Sequence, residues 1–159
     1  MAEETDIARL TDRLRRMCSR REYCCQDILK KATAALDGDQ AQAEIIVETL
    51  VNEKYIDDLR FASAFARDKS SIAGWGDTKI RYMLAAKGIQ RDIITLALGE
   101  VDRPRAQTRL EKLLANRLRA LKDDPHCRLK MLRFALGRGY GYDETAEVLD
   151  RLMKNDDII

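Results

Sequence analysis

A single histidine in 159 residues, His126, leaves little room for the commoner catalytic chemistries. A Ser-His-Asp triad, a two-histidine zinc site or a histidine proton relay would each have to pass through it. The four cysteines supply no obvious metal site either. Cys24 and Cys25 are adjacent and point about 100° apart on a helix, Cys18 and Cys127 stand alone, and no C-x-x-C pair exists. They read as reduced, partly buried cytosolic thiols, and no metal or cofactor is expected. Two prolines and eight glycines are few, which disfavours a loop-rich all-β fold, a disulfide scaffold or a disordered tail. No apolar run is long enough to span a bilayer. The opening MAEETDIARL is acidic and mixed, unlike a secretory signal, so a cytoplasmic protein is expected. What the chain has is 45% hydrophobic and 35% charged side chains, enough for a core beneath a heavily charged surface.

The net charge of +2 conceals an uneven distribution. Residues 1–58 carry 9 basic and 13 acidic side chains, whereas residues 103–138 carry 11 basic and 3 acidic. That later stretch is where a polyanion's electrostatic footprint is visible.

Apolar residues recur at helical spacing along the whole chain. Ile7, Leu10, Leu14 and Met17 mark a first helix over about 6–18, whose Arg9, Arg13, Arg16 and Arg20 are expected to pair with acids of the same region. Ser19 and Glu22 have capping-box spacing and predict an immediate restart. Gly38 ends that second helix, and a third runs over about 40–53. Asp57 or Asp58 caps a fourth carrying Phe61, Ala62 and Phe65 inward. Asp77 caps a fifth with Ile80 and Leu84 inward, and Ile93, Ile94 and Ala97 mark a sixth. The seventh, over about 104–122, has an apolar stripe through Leu110, Leu114 and Leu118. Its opposite stripe, Arg105, Arg109, Lys112, Asn116 and Arg119, is mainly basic. Asp124-Pro125 predicts the start of an eighth helix with Leu129, Leu132 and Leu136 inward, and Asp143 the cap of a ninth. Trp75, between two glycines, is expected to fold back and plug a gap between helices.

Three junctions align: Glu53-Lys54-Tyr55-x-x-Asp58, Lys87-Gly88-Ile89-x-x-Asp92 and Arg138-Gly139-Tyr140-x-x-Asp143. Each reads as a helix-turn-helix corner, with a large apolar residue filling the angle and an acid restarting the chain. Nine helices in three groups follow: an all-α fold of three tandem three-helix, helix-turn-helix-like repeats at 1–57, 58–101 and 102–159, elongated and curved.

These residues resemble the RecX family of bacterial regulatory proteins. The likeness rests on Tyr55-Ile56-Asp57-Asp58-x-Arg60-Phe61-Ala62, on Gly74-Trp75-Gly76, and on Ile80-x-x-x-Leu84-x-x-Lys87-Gly88-Ile89. It closes with Lys130-Met131-x-Arg133-Phe134-x-x-x-Arg138-Gly139-Tyr140. It covers about residues 8–153, with Lys54 standing where the family often has glycine. The resemblance implies three tandem three-helix repeats without catalytic residues and a partner in the RecA filament on single-stranded DNA; the chain itself is expected to be a monomer. It implies a negative regulator that opposes filament growth, ATP turnover and strand exchange, with direct contact to the DNA open.

The residues expected to meet partner or DNA are Arg60, Arg67, Lys79, Arg81, Lys87, Arg105, Arg109, Lys112, Arg119, Arg133 and Arg138. A solvated helix face is the alternative reading of the same cations. A helix-turn-helix DNA-binding protein acting without RecA is the runner-up function, although no helix shows the Arg/Asn/Gln-rich run that base reading favours. A metal nuclease built on Asp57-Asp58 is disfavoured, because both acids suit a helix cap and no second acidic cluster accompanies them.

Overall fold

A computed structural model describes residues 3–158, with side chains to residue 154. Among the described residues the chain is all-helical. In order come α1 (Glu4–Arg20), α2 (Cys25–Ala35), α3 (Gln40–Asn52), α4 (Asp58–Ser71), α5 (Asp77–Ala86), α6 (Arg91–Leu98), α7 (Arg103–Leu121), α8 (Cys127–Gly137) and α9 (Tyr142–Ile158). They group into two compact units. One takes residues 1–64 with 84–97, the other residues 65–83 with 98–159.

In the first unit, Leu10 and Leu14 of α1, Ile28 and Ala32 of α2 and Ala43, Ile46 and Leu50 of α3 close a core over Ile56. In the second, Leu110 and Leu114 of α7 meet Met131 and Ala135 of α8 and Val148 and Leu149 of α9. Both cores use one stripe per helix at three- and four-residue spacing, as amphipathic helices require.

The three aligned corners share one backbone form. Lys54, Gly88 and Gly139 all have positive φ, at 67°, 77° and 95°. The next amide in each reaches back five residues: Tyr55 N to Leu50 O at 2.9 Å, Ile89 N to Leu84 O at 3.2 Å, and Tyr140 N to Ala135 O at 3.1 Å. This is the Schellman closure, which satisfies the last carbonyls of a helix and turns the chain sharply. Lys54 holds the left-handed position that glycine fills in the other two corners.

Several helix starts differ from the expectation. Ser19 lies inside α1 and gives its hydroxyl to Arg15 O at 2.8 Å, so it caps nothing. The first amide of α2, Cys25 N, is capped instead by Asp58 from the start of α4, at 2.8 Å. Asp57 caps α4 itself through Arg60 N at 3.0 Å. Asp77 begins α5 as its first helical residue rather than preceding it. Asp124 accepts from His126 N at 2.8 Å, which leaves Pro125 outside α8. At α9 the reaching acid is Glu144, which accepts from Gly141 N at 2.7 Å, while Asp143 sits within the first turn.

On α8 the buried side is Cys127, Met131 and Ala135, with Leu132 packed beside it. Leu129 and Leu136 are 47% and 43% exposed rather than inward. On α1 the expected pairing falls elsewhere: Arg15 binds Asp12 at 2.6 Å and Glu53 at 2.8 Å. Arg9, Arg13, Arg16 and Arg20 make no ion pair among the described residues.

Candidate nucleic-acid interface

The expected cations separate into three kinds once their neighbours are seen. Arg60 binds the Glu22 carboxylate, and its Nη2 donates to the Lys54 and Tyr55 carbonyls at 3.1 and 3.2 Å. Lys87 pairs with Asp27 at 2.9 Å and lies over the Phe61 ring. Burial, the largest single influence, would raise the Asp27 pKa; the Lys87 ammonium, the Cys24 thiol and the Lys30 charge together outweigh it and leave the carboxyl below its usual value. Lys87 O also faces the Cys24 thiol. These two cations hold the first unit's own corners together.

Beside them Cys25 is half buried, and burial followed by the Asp58 charge pushes its thiol pKa up to about 12. Burial likewise raises the Cys18 and Cys24 thiols. None of the three is set up as a thiolate nucleophile.

In the second unit, the start of α5 is docked on the end of α8 by backbone. Gly76 N donates to Arg138 O at 2.8 Å and Thr78 N to Gly139 O at 3.0 Å. A Cβ on Gly76 would lie 2.5 Å from the Tyr140 nitrogen, so only glycine permits this approach. Tyr140 OH donates to Gly74 O at 3.1 Å, and burial raises its pKa. Arg138 is half buried over the Phe134 ring, which Arg117 covers at 4.4 Å from its centroid. Trp75 meets Phe65 edge-on with centroids 6.2 Å apart, and Lys69 and Lys79 both lie over it, at 4.8 and 4.4 Å. Trp75 is thus half buried, packed on one ring and bracketed by cations.

The second kind is paired but exposed: Arg67 with Glu100 at 3.3 Å and Arg105 with Asp102 at 3.4 Å. Such pairs contribute little and exchange readily. Arg109 is half buried and donates to Ser70 Oγ at 3.2 Å. The third kind is open. Arg81, Lys112, Arg119 and Arg133 are exposed and make no ion pair among the described residues. All four belong to the second unit.

Lys69 and Arg117 are not singled out by spacing, because Lys69 follows an acid and Arg117 lies off the basic stripe of α7. Their signal is the aromatic partner, Trp75 or Phe134, and it becomes visible only once the helices pack. No group of three or more His, Cys, Asp or Glu among the described residues is placed to hold a metal ion, and no described helix is long and apolar enough to cross a membrane.

Helical corners repeated along the chain define an all-α protein of helix-turn-helix-like repeats. A family model described as "RecX, second three-helix domain" matches residues 57–98. The chain is 33% identical to the regulatory protein RecX of Clostridium botulinum (strain Eklund 17B / Type B) over 107 residues, 65% of this chain and 50% of that protein. It is 29% identical to the regulatory protein RecX of Salmonella arizonae over 150 residues, 89% and 90% of the two chains. It therefore spans about half the length of the clostridial relatives and nine-tenths of the Salmonella ones. The crystal structure of RecX from Lactobacillus salivarius has the same fold, with a TM-score of 0.83 at 19% identity over 99% of this chain and 100% of that one. The chain is thus similar in sequence to regulatory RecX proteins along most of its length and shares the fold of a solved RecX.

Proposed function

We propose that this protein is a cytoplasmic, monomeric negative regulator of the RecA recombinase, without catalytic residues of its own. It engages the RecA filament on single-stranded DNA and opposes filament growth, ATPase and strand exchange. Its three repeats, 1–57, 58–101 and 102–159, serve as a binding scaffold, and the contact runs through the basic face of the last two. The observation that carries the reading is the match to regulatory RecX proteins along nine-tenths of the chain. The open cations support it. Four arginines and lysines without acidic partners among the described residues of one unit create a positive field suited to a phosphate backbone or an acidic protein surface.

Of the eleven expected contact residues, Arg60 and Lys87 are better read as internal ties. Arg81, Lys112, Arg119 and Arg133 carry the contact. The test is the single-stranded-DNA-dependent ATPase of RecA at substoichiometric amounts of this protein, where ATP turnover should fall. Charge reversal of Arg81 and Arg119 together should weaken that inhibition without changing the unfolding midpoint, because exposed charges contribute little to stability. Inhibition seen only at DNA-saturating amounts, and absent on preformed filaments, would transfer the assignment to a DNA-binding protein acting without RecA.

A further inference from the structure

Between the end of α4 and the first turns of α7 lies a cavity of about 200 Å³, lined among others by Arg67, Ser70, Glu100, Asp102, Arg105 and Arg109. It lies wholly within the second unit. The volume is below the roughly 300–1,000 Å³ of pockets that take drug-sized ligands. Its charges do not balance: three guanidiniums face two carboxylates. Glu100 is engaged by Arg67 and Asp102 by Arg105, at 3.3 and 3.4 Å. Arg109 has neither. Its Nη2 donates to Ser70 Oγ, and its Nε is shut off from solvent with no acceptor. A guanidinium carries five donors and no acceptor, and a buried donor without a partner is uncommon in a folded protein.

We propose that this cavity binds a phosphate group. Arg109 supplies the uncompensated charge, Ser70 holds its orientation, and Arg67 and Arg105 turn from their long, exposed ion pairs to close on the bound oxygens. Arginine forks match the geometry of phosphate oxygens, and an anion there relieves the excess positive charge. The ligand chemistry is a phosphomonoester or phosphodiester; a free 5′-phosphate end and an internal backbone phosphate of single-stranded DNA are its two sources. The site refines the basic face proposed above yet needs no recombinase, so the two assignments fail separately.

The test uses the full chain, first with inorganic phosphate and phosphorus NMR line broadening at fixed ionic strength. It then uses short oligothymidylates with and without a 5′-phosphate, followed by fluorescence anisotropy. Inorganic phosphate should broaden with the parent protein and with Arg9→Gln, and should not with Arg109→Gln or Arg67→Gln. Losing one charge-assisted contact should weaken oligonucleotide binding about tenfold. Tighter binding of the 5′-phosphorylated oligonucleotide, lost in Arg109→Gln, identifies a terminal phosphate. Equal binding of both, weakened alike by Arg109→Gln, identifies a backbone phosphate. Arg67→Gln, an exposed position, keeps the test valid if Arg109→Gln does not fold. Phosphate broadening and oligonucleotide affinity unchanged in both variants would overturn the proposal.

Discussion

Gly139→Ala measures the close approach of the α8 corner to the start of α5. Gly139 has φ +95°, and a Cβ there would lie 2.6 Å from the Lys79 nitrogen and 2.9 Å from the Gly76 carbonyl oxygen. Left-handed backbone costs an L-residue about 1–2 kcal/mol. Relieving the clash means separating the two segments, which breaks Gly76 N to Arg138 O and Thr78 N to Gly139 O. Each such bond contributes roughly 1 kcal/mol net, so the total cost is about 3–4 kcal/mol. Gly38 isolates the first part. It has nearly the same φ, +94°, and a Cβ there would meet nothing within 4 Å. Gly38→Ala should therefore cost only about 1–2 kcal/mol. The gain from a stiffer unfolded chain is common to both variants and cancels in their difference. Urea unfolding followed by circular dichroism and by the fluorescence of Trp75, the sole tryptophan and the neighbour of Gly76, reads both variants. Equal costs, within about 0.5 kcal/mol, would refute the argument that backbone contact at Gly139 fastens this corner.

Lys54→Gly should stabilise the protein by up to about 1 kcal/mol, because it removes left-handed strain at an exposed position; an unchanged or lowered urea midpoint argues against it. Phe61→Ala should cost about 3–5 kcal/mol, since the ring is only 8% exposed and lies beneath Lys87; parental unfolding would contradict this. Tyr140→Phe should lose roughly 1 kcal/mol at neutral pH with its hydrogen bond to Gly74 O. Because burial raises the folded pKa of Tyr140, the folded state holds its proton longer, so stability is full below about pH 10 and falls above it. The phenylalanine variant should show a shallower alkaline decline, and an unchanged slope would count against a buried hydroxyl.

The corners were legible because their cause is local. A charged residue, a left-handed position and an apolar plug follow one another directly in each. Even the exception, Lys54, keeps the same geometry as Gly88 and Gly139. The start of α2 was not legible, because its cap comes from Asp58, 33 residues away, and no local pattern records that. On α8 the bulkier leucines suggested the wrong face. That helix carries apolar residues on more than one side, between Arg128, Lys130 and Arg133, and the side turned to the core is set by packing around Met131 and Ala135. The basic residues were the least readable. Spacing locates Arg60 on a helix and Lys87 at the end of one but cannot see Glu22 and Asp27 arriving from an earlier segment to take them up. What sequence did carry is the acid-poor stretch from which Lys112, Arg119 and Arg133 emerge without carboxylate partners among the described residues.

The chain passes between its two compact units three times, after residues 64, 83 and 97, and α4 and α5 each contribute residues to both. A ribosome delivers these pieces strictly in order. When Ala64 has emerged, the first unit still lacks Leu84–Ala97, the segment whose Lys87 meets Asp27 and Phe61. The 19 intervening residues belong to the other unit and must be synthesised first. At about 5–20 residues per second that is a wait of roughly one to four seconds. Throughout it Cys24, wholly buried in the finished protein, has no Lys87 corner to cover it. Stalling translation with the chain emerged to between residues 64 and 83 would hold it at the stage where that thiol is open to alkylation, a window that closes once the corner at Gly88 has formed.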